Sequence, residues 1–431
     1  MSRDMGSALG FEDSWYYATA RGLVERPRLS ERLSADVCVI GGGYTGLSAA
    51  LELAARGYQV VLLEGYRIGC GASGRNGGVL GMGQRKEQDE LEQWLGAETA
   101  RRLWQVAVDA NALVRDRIHR YAIDCDLKDG ELHAAHRARH VKGFWEYVDH
   151  LAEGYDYHRC RKVDGDEMAA MLGMRTYFGG YLDEGAGHLH PLNLALGLAR
   201  AAESHGARLF EHSAAQDYRQ VDGRVQVRCA AGEVDAEFLV LACNGYLGRL
   251  ARGIESYQMP INNFVLATAP LGDERARSIN RDDVAVVDSR FVVNYFHNSP
   301  DRRLIFGGGE NYSPRFPRDV KRFVRRFMLE VYPSLDDVAI DYAWGGTLAI
   351  TLKRMPHFGR DGQVFWAQGY SGHGVAMANM GGRLIADALA GSAERFDLFA
   401  RLPHVRFPGG RLLRWPALVA GMLYYAMLDR F

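Results

Sequence analysis

The sequence predicts a mixed α/β fold (an α+β mixture) in which a βαβ unit near the N-terminus is joined to a domain built on an antiparallel sheet. Three observations predict it. The β-branched run 36–40, DVCVI, feeds directly into the glycine turn GGGYTG at 41–46. A helical pattern and a second apolar run, VVLLE at 60–64, follow it. Between Val265 and Ile350 the pattern changes to short β-rich segments such as FVLATA and LIFGGG. A chain of 431 residues also exceeds what one hydrophobic core usually supports, so two joined domains are expected.

Taken in order, a short β-branched run such as 36–40 suits a buried parallel strand. Leu47, Ala50, Leu51, Ala54 and Ala55 recur at helical spacing, and Gly57 is placed to end that helix. The strand 60–64 completes the βαβ unit, a Rossmann-like arrangement. Residues 86–121 read as one or two amphipathic helices, and 141–153 and 192–205 as further helices. Residues 207–211, 225–229 and 237–242 read as strands, the last running into LACNGY, where Gly245 permits a close turn. A basic helix is expected over 321–331, a final strand over 364–367, and a closing helix over 375–389 stopped by Gly391.

Composition removes several classes of function. The 52 basic and 53 acidic residues nearly cancel and are scattered, so there is no field for nucleic acid. Six cysteines without a Cys-x-x-Cys spacing fit neither a zinc site nor a disulfide scaffold, and no metal is expected. The charged opening MSRDMGSALGFEDSWYY carries no signal-like apolar run, so a cytoplasmic protein is expected. The apolar stretch Trp415–Leu428 is too short to cross a bilayer, which takes about 20 residues. Its helical stripe suits packing or, as a lesser alternative, peripheral membrane contact.

In the glycine turn, Gly41, Gly43 and Gly46 meet the G-x-G-x-x-G spacing. The first allows the tight turn, the second lets backbone approach a pyrophosphate, and the third lets helix and strand pack closely. The helix N-terminus, with Tyr44 and Thr45, offers free N–H groups to phosphate. Glu64 ends the next strand, where a carboxylate binds ribose hydroxyls and repels a 2′-phosphate. Two more glycine-rich stretches favour FAD over NAD. Gly71, Ala72, Ser73, Gly74, Arg75, Asn76, Gly77 and Gly78 form a loop of mostly small residues past which the longer cofactor threads. Gly369, Tyr370, Ser371, Gly372, His373 and Gly374 open the closing helix, whose N-terminus suits the negative charge of a reduced flavin ring. Cys243 and Asn244 complete the expected cofactor set.

VCVIGGGYTGLSAALELAARGYQVVLLE, GASGRNGG, LACNGY and QGYSGHGVAMANMGG resemble, in the same order, the FAD-dependent oxidases of the D-amino-acid oxidase (DAO) family. GASGRNGG and SWYYATA resemble its γ-glutamylputrescine oxidase branch. The resemblance implies a glutathione-reductase-like FAD domain interleaved with an antiparallel-sheet substrate domain. The FAD domain would comprise 36–130, 186–255 and 346–400, the substrate domain 131–185 and 256–345, and 401–431 a tail helix. It also implies an amine oxidase: a small-molecule amine and O2 as partners, hydride transfer from the amine-bearing carbon to flavin N5, and hydrogen peroxide as product. Two departures stand out. The region Trp344–Leu352 lacks the cysteine that holds FAD covalently in sarcosine oxidases, so FAD is expected to be non-covalent. Val375, Ala376 and Met377 stand where those enzymes carry a lysine, leaving Lys353, Arg354 or protonated His373 as candidate cations for O2.

The catalytic candidates are His373, Arg75, Asn76 and Tyr295, with Arg290 and His297 as possible pocket residues on a strand of the second domain. His373 is expected to have a pKa lowered by the helix dipole, or else to be structural. Arg75 and Asn76 either reach the ring or brace their loop. His188 and His190, in GHLHP, are read as a turn before a helix rather than a metal pair. Two rival functions remain: an FAD dehydrogenase passing electrons to a quinone or carrier protein, and a non-catalytic flavin-binding protein.

Overall fold

The computed structural model describes residues 10–311 and 315–408. Its two sheets share one body. In the first, five strands run parallel in the spatial order Val364–Gln368, Glu233–Leu241, Arg32–Ile40, Val60–Leu63 and Arg208–Phe210. His357–Asp361 closes one edge antiparallel. Arg224–Arg228 and Asp217–Val221 extend Glu233–Leu241 as an antiparallel flap. The chain thus runs outward from Arg32–Ile40 to one side, then returns to pair on the other. Such reversal of strand order opens a crevice at the carboxyl end of the first strand, where dinucleotides bind in doubly wound sheets. Ile40, the last residue of that strand, pairs with both Leu63 and Leu241.

The sequence placed each parallel strand but shortened two of them at the start. They begin at Arg32 and Glu233 rather than at 36 and 237, because Arg32–Ala35 pair with Glu233–Ala236 despite their polar residues. The helix after the turn spans Tyr44–Ala55, and Gly57 at φ +90° follows its end. The stretch 86–121 forms two helices, Gln88–Leu95 and Ala97–Arg120. The closing helix, Gly374–Leu389, lies on Tyr44–Ala55 at backbone contact: a Cβ on Gly382 would stand 2.3 Å from the Thr45 carbonyl oxygen. Buried Arg117 pins both helices, donating to Glu52 at 2.8 Å and to Asn379 at 3.0 Å.

The second sheet is ordered Ile340–Ile350, Met259–Thr268, Leu304–Asn311, Tyr295–Asn298, Ala285–Asp288, Lys128–Ala134, Gly180–His188 and Val79–Leu80, with Cys160–Val163 added to Gly180–His188. It is antiparallel except where Ala285–Asp288 runs parallel to Lys128–Ala134. That pair breaks the expected purely antiparallel pattern because it joins two distant chain segments rather than a hairpin. The expected basic helix is present at Val320–Val331 and packs its buried Val324, Met328 and Val331 on this sheet. Among the described residues no helix is long and apolar enough to cross a membrane. The stretch Trp415–Leu428 lies outside the described residues.

Candidate active site

The glycine turn sits at the carboxyl end of the first strand, and its shape is dictated by contact. A Cβ on Gly46 would stand 1.9 Å from the Gly41 carbonyl oxygen and 3.2 Å from Val39. Only glycine lets the helix begin this close to the strand. Gly41 itself has φ +115° against the Ala242 carbonyl, and Gly43 caps the helix. The amides of Thr45 and Gly46 lie in the first turn, which has no intrahelical acceptor for them. Glu64 follows the strand Val60–Leu63 and turns back to the same place: its Oε2 accepts the Gly42 amide at 2.7 Å and its Oε1 the Tyr66 amide at 2.9 Å. Burial raises its pKa, opposed by these backbone donors.

The second glycine-rich stretch closes over this turn. Ser73 Oγ accepts the Tyr44 amide at 2.9 Å. Asn76 spends its amide on the loop itself, donating to the Ala72 and Ser73 carbonyls at 3.0 and 2.9 Å and accepting from Gly78 N at 2.8 Å. Arg75 is buried, donating to the Cys70 carbonyl at 2.6 Å and to the Gly345 carbonyl at 2.9 Å, with its guanidinium 5.2 Å from the Phe11 ring centre. Trp344 returns a bond, Nε1 to the Arg75 carbonyl at 3.0 Å. Both side chains therefore brace the loop. Gly71 lies under Tyr246, and Gly74 against the Gly69 carbonyl. Tyr295 lies flat on Gly77 and Gly307, where a Cβ would stand 2.2 and 2.0 Å from its ring, and its hydroxyl donates to Asn263.

The third stretch is joined to the first across 325 residues, through a 2.7 Å hydrogen bond between Thr45 Oγ1 and the Tyr370 hydroxyl. Asn244, at φ +46°, accepts the Gly369 amide at 2.9 Å. Ser371 is held by the Ala349 carbonyl at 3.0 Å, and Gly372 has φ +90°. Cys243 donates its thiol to the Ile40 carbonyl at 3.4 Å, and burial pushes its pKa up to about 12. The three stretches so converge on one crevice.

His373 caps the closing helix from its N-terminal end and places Nε2 3.1 Å from the Met82 carbonyl. Burial, with Arg85 nearby, lowers its pKa to about 4. The direction matches the sequence reading, burial is its largest cause, and the ring is neutral near pH 7. A neutral His373 is no resident cation for O2. Lys353 lies 5.4 Å from the Trp94 ring centre.

Two further sequence readings are revised or refined. Arg290 lies in the loop between Ala285–Asp288 and Tyr295–Asn298, not on a strand, because its guanidinium pairs with buried Asp288 beneath it. His297 is on the strand, buried, with its ring 4.3 Å from that of His188. His190 caps helix Pro191–Ser204, its Nδ1 accepting the Asn193 amide at 3.1 Å, as a turn before a helix requires. No metal-holding group of His, Cys, Asp and Glu occurs among the described residues.

Sequence reasoning missed three neighbours of the crevice. Tyr16 is fully buried with its ring 5.1 Å from Trp344, and its orphaned hydroxyl lies beside Tyr295 and Tyr44. Glu131 and His133 face one side of Lys128–Ala134 next to His373. Their i, i+2 spacing is the signal that places both on one sheet face.

The crevice fits FAD: a helix N-terminus whose Thr45 and Gly46 amides suit phosphate, glycine backbone that allows close approach, and a second glycine-rich wall leading toward the other sheet. The DAO family of FAD-dependent oxidoreductases matches residues 36–388. The γ-glutamylputrescine oxidoreductase of Escherichia coli (strain K12) is 42% identical over 97% of this chain and 98% of that protein. Among solved structures, glycine oxidase from Geobacillus kaustophilus superposes with a TM-score of 0.71 at 21% identity, covering 83% of this chain and 95% of that one. L-proline dehydrogenase from P. horikoshii superposes at 0.67 and 22% identity, covering 84% and 94%. With the family match spanning most of its length and a full-length relative above two-fifths identity, the chain belongs to the DAO family of FAD-dependent oxidoreductases.

Proposed function

We propose that this protein is a cytoplasmic amine oxidase acting on a small amine or amino-acid derivative of the γ-glutamylputrescine type, with O2 as electron acceptor and hydrogen peroxide as product. The single observation that carries the chemistry is the joining of three glycine-rich stretches, through Ser73 to Tyr44, Tyr370 to Thr45 and Asn244 to Gly369. The 42% identity to γ-glutamylputrescine oxidoreductase supports the substrate class. When bound, FAD supplies the two-electron acceptor for a hydride from the amine-bearing carbon.

The chain's own residues do the rest. The first-turn amides of Tyr44–Ala55 hold the diphosphate, Glu64 the ribose, and the loop 71–78 the length of the cofactor. The FAD-binding segments and the second-sheet segments form the interleaved domains that the resemblance implies. The neutral ring of His373 keeps positive charge away from the reacting amine, and Tyr295 fixes the wall of the second sheet against Gly77. Non-covalent attachment is supported by the absence of cysteine from Trp344–Leu352.

The test is reduction of the yellow protein under argon by γ-glutamylputrescine, putrescine, N-methyl amino acids and D-amino acids. Bleaching near 450 nm, the usual oxidised-flavin band, followed by peroxide formation in air is expected (about 450 nm, a property of the cofactor). Acid precipitation should leave FAD in the supernatant. A second reading, a dehydrogenase that uses a quinone or carrier, is favoured by one observation: buried Val375, Ala376 and Met377 and neutral His373 place no cation at the start of the closing helix. Slow reoxidation in air without peroxide selects it.

A further inference from the structure

Glu131 has no role in the structure described so far. It lies mid-strand in Lys128–Ala134, opposite Asp183 of Gly180–His188, and each is only 4% exposed. Asp183 is satisfied, accepting the Tyr157 hydroxyl at 2.6 Å and the Gly185 amide at 2.8 Å. Glu131 is different. Among the described residues its polar neighbour is His133, with Nε2 3.4 Å from Oε1, and no Lys or Arg pairs with either carboxyl. Oε2 has no hydrogen-bond partner there and is aimed at Gly81. A Cβ on Gly81 would stand 3.1 Å from Oε2 and 2.9 Å from the His373 ring, so carboxyl and imidazole converge on that backbone.

The groups facing Glu131 come from every element around it. Asp183 and Tyr181 belong to the paired strand, Cys160 to the strand beyond, His133 to its own strand and His373 to the closing helix. Exposed Arg85 stands outside the two histidines. Burial and Asp183 push Glu131 up to about 8, while burial holds His133 down at about 3 and His373 at about 4. Neither histidine carries charge near pH 7. Arg159 bears on Asp183, but among the described residues no Lys or Arg bears on Glu131, and a cation in contact with it would favour the ionised form.

We propose that Glu131 is the residue that selects cationic amines, its carboxylate receiving the ligand's ammonium group beside Gly81 and His373. The inference rests on the amine-oxidation reading and names its specificity determinant. On binding, the O–H bond of Glu131 breaks, the proton passes to solvent, and an ion pair forms; no electron moves.

The experiment uses the FAD-loaded protein and tert-butylammonium chloride, whose amine carbon bears no hydrogen and so cannot be oxidised. Calorimetric titration at pH 7 in two buffers of different ionisation enthalpy gives both Kd and protons released; tert-butanol is the uncharged isostere. Wild type should bind the ammonium and release close to one proton. Glu131→Gln should weaken it at least tenfold and abolish proton release, while tert-butanol is indifferent to the substitution. Absence of binding or of proton release in wild type overturns the proposal, whether or not the variant folds. So does a folded, yellow Glu131→Gln protein with unchanged Kd. Anaerobic bleaching of wild type by primary amines separates the two readings. If amines bleach the flavin and Glu131→Gln leaves Kd unchanged, this inference alone fails. If no amine bleaches it, the oxidation reading fails and calorimetry still decides the ammonium site.

Discussion

Substituting Gly46 by alanine puts the strand–helix contact to a direct test. The new Cβ would meet the Gly41 carbonyl oxygen at 1.9 Å, whereas ordinary contact begins at 3.4 Å. The obstacle is backbone, so the N-terminus of the helix must retreat by about 1.5 Å, the difference of those distances. Overpacking of this kind costs about 1–3 kcal/mol of stability. The same retreat stretches an amide–phosphate hydrogen bond of about 2.9 Å beyond 4 Å, which removes it. A hydrogen bond to a charged group contributes about 1.5–3 kcal/mol, so FAD affinity should fall about tenfold to a hundredfold. Titration of apoprotein with FAD, followed by flavin fluorescence, measures this, with Tm recorded in parallel. Gly253→Ala is the control, since nothing lies within 4 Å of its Cβ. A Gly46→Ala protein with wild-type Kd and Tm would refute the reasoning, because the helix would then hold phosphate without its contact to the turn.

Three other outcomes are expected. Tyr370→Phe removes the 2.7 Å bond to Thr45, at a cost of about 1 kcal/mol, and should weaken FAD binding severalfold without unfolding the protein, as the same titration will show. Gly143→Ala lies exposed within helix Ala138–Tyr155 with no atom within 4 Å, so thermal melting should show a stability gain of up to about 1 kcal/mol. For Glu52, burial raises the pKa but Arg117, Arg383 and Arg56 outweigh it and hold the group below 4.5. Its stabilisation is therefore complete above pH 4.5 and fades as the pH falls through the folded value. Acid denaturation of Glu52→Gln should show a shallower loss below that pH than wild type.

The glycine turn was legible through its spacing between a strand and a helix: Gly46 answers to Gly41 and Val39 just before it, although Gly41 and Gly43 answer to Ala242 and Ser73 farther along the chain. The closing helix was legible for a similar reason, through the glycines that precede it. What the sequence hid was set by long-range pairing. Nothing in KDGELHA shows that Glu131 will face Asp183, since that register depends on Gly180–His188 folding alongside. Arg75 and Asn76 looked equally able to reach a ring or brace a loop, and the Gly345 carbonyl that holds Arg75 belongs to a strand 270 residues away. His373 stands at the helix N-terminus as read, yet its burial near Met82 and Arg85 was invisible in SGHG.

The bond between Thr45 and Tyr370 has a consequence for synthesis on the ribosome. The pocket's floor is translated early, but one of its walls emerges only near the end of the message. A nascent chain halted before that point has a turn able to touch phosphate and no far side to retain it. Cofactor loading should therefore come late, and fragments ending before the closing helix should accumulate colourless.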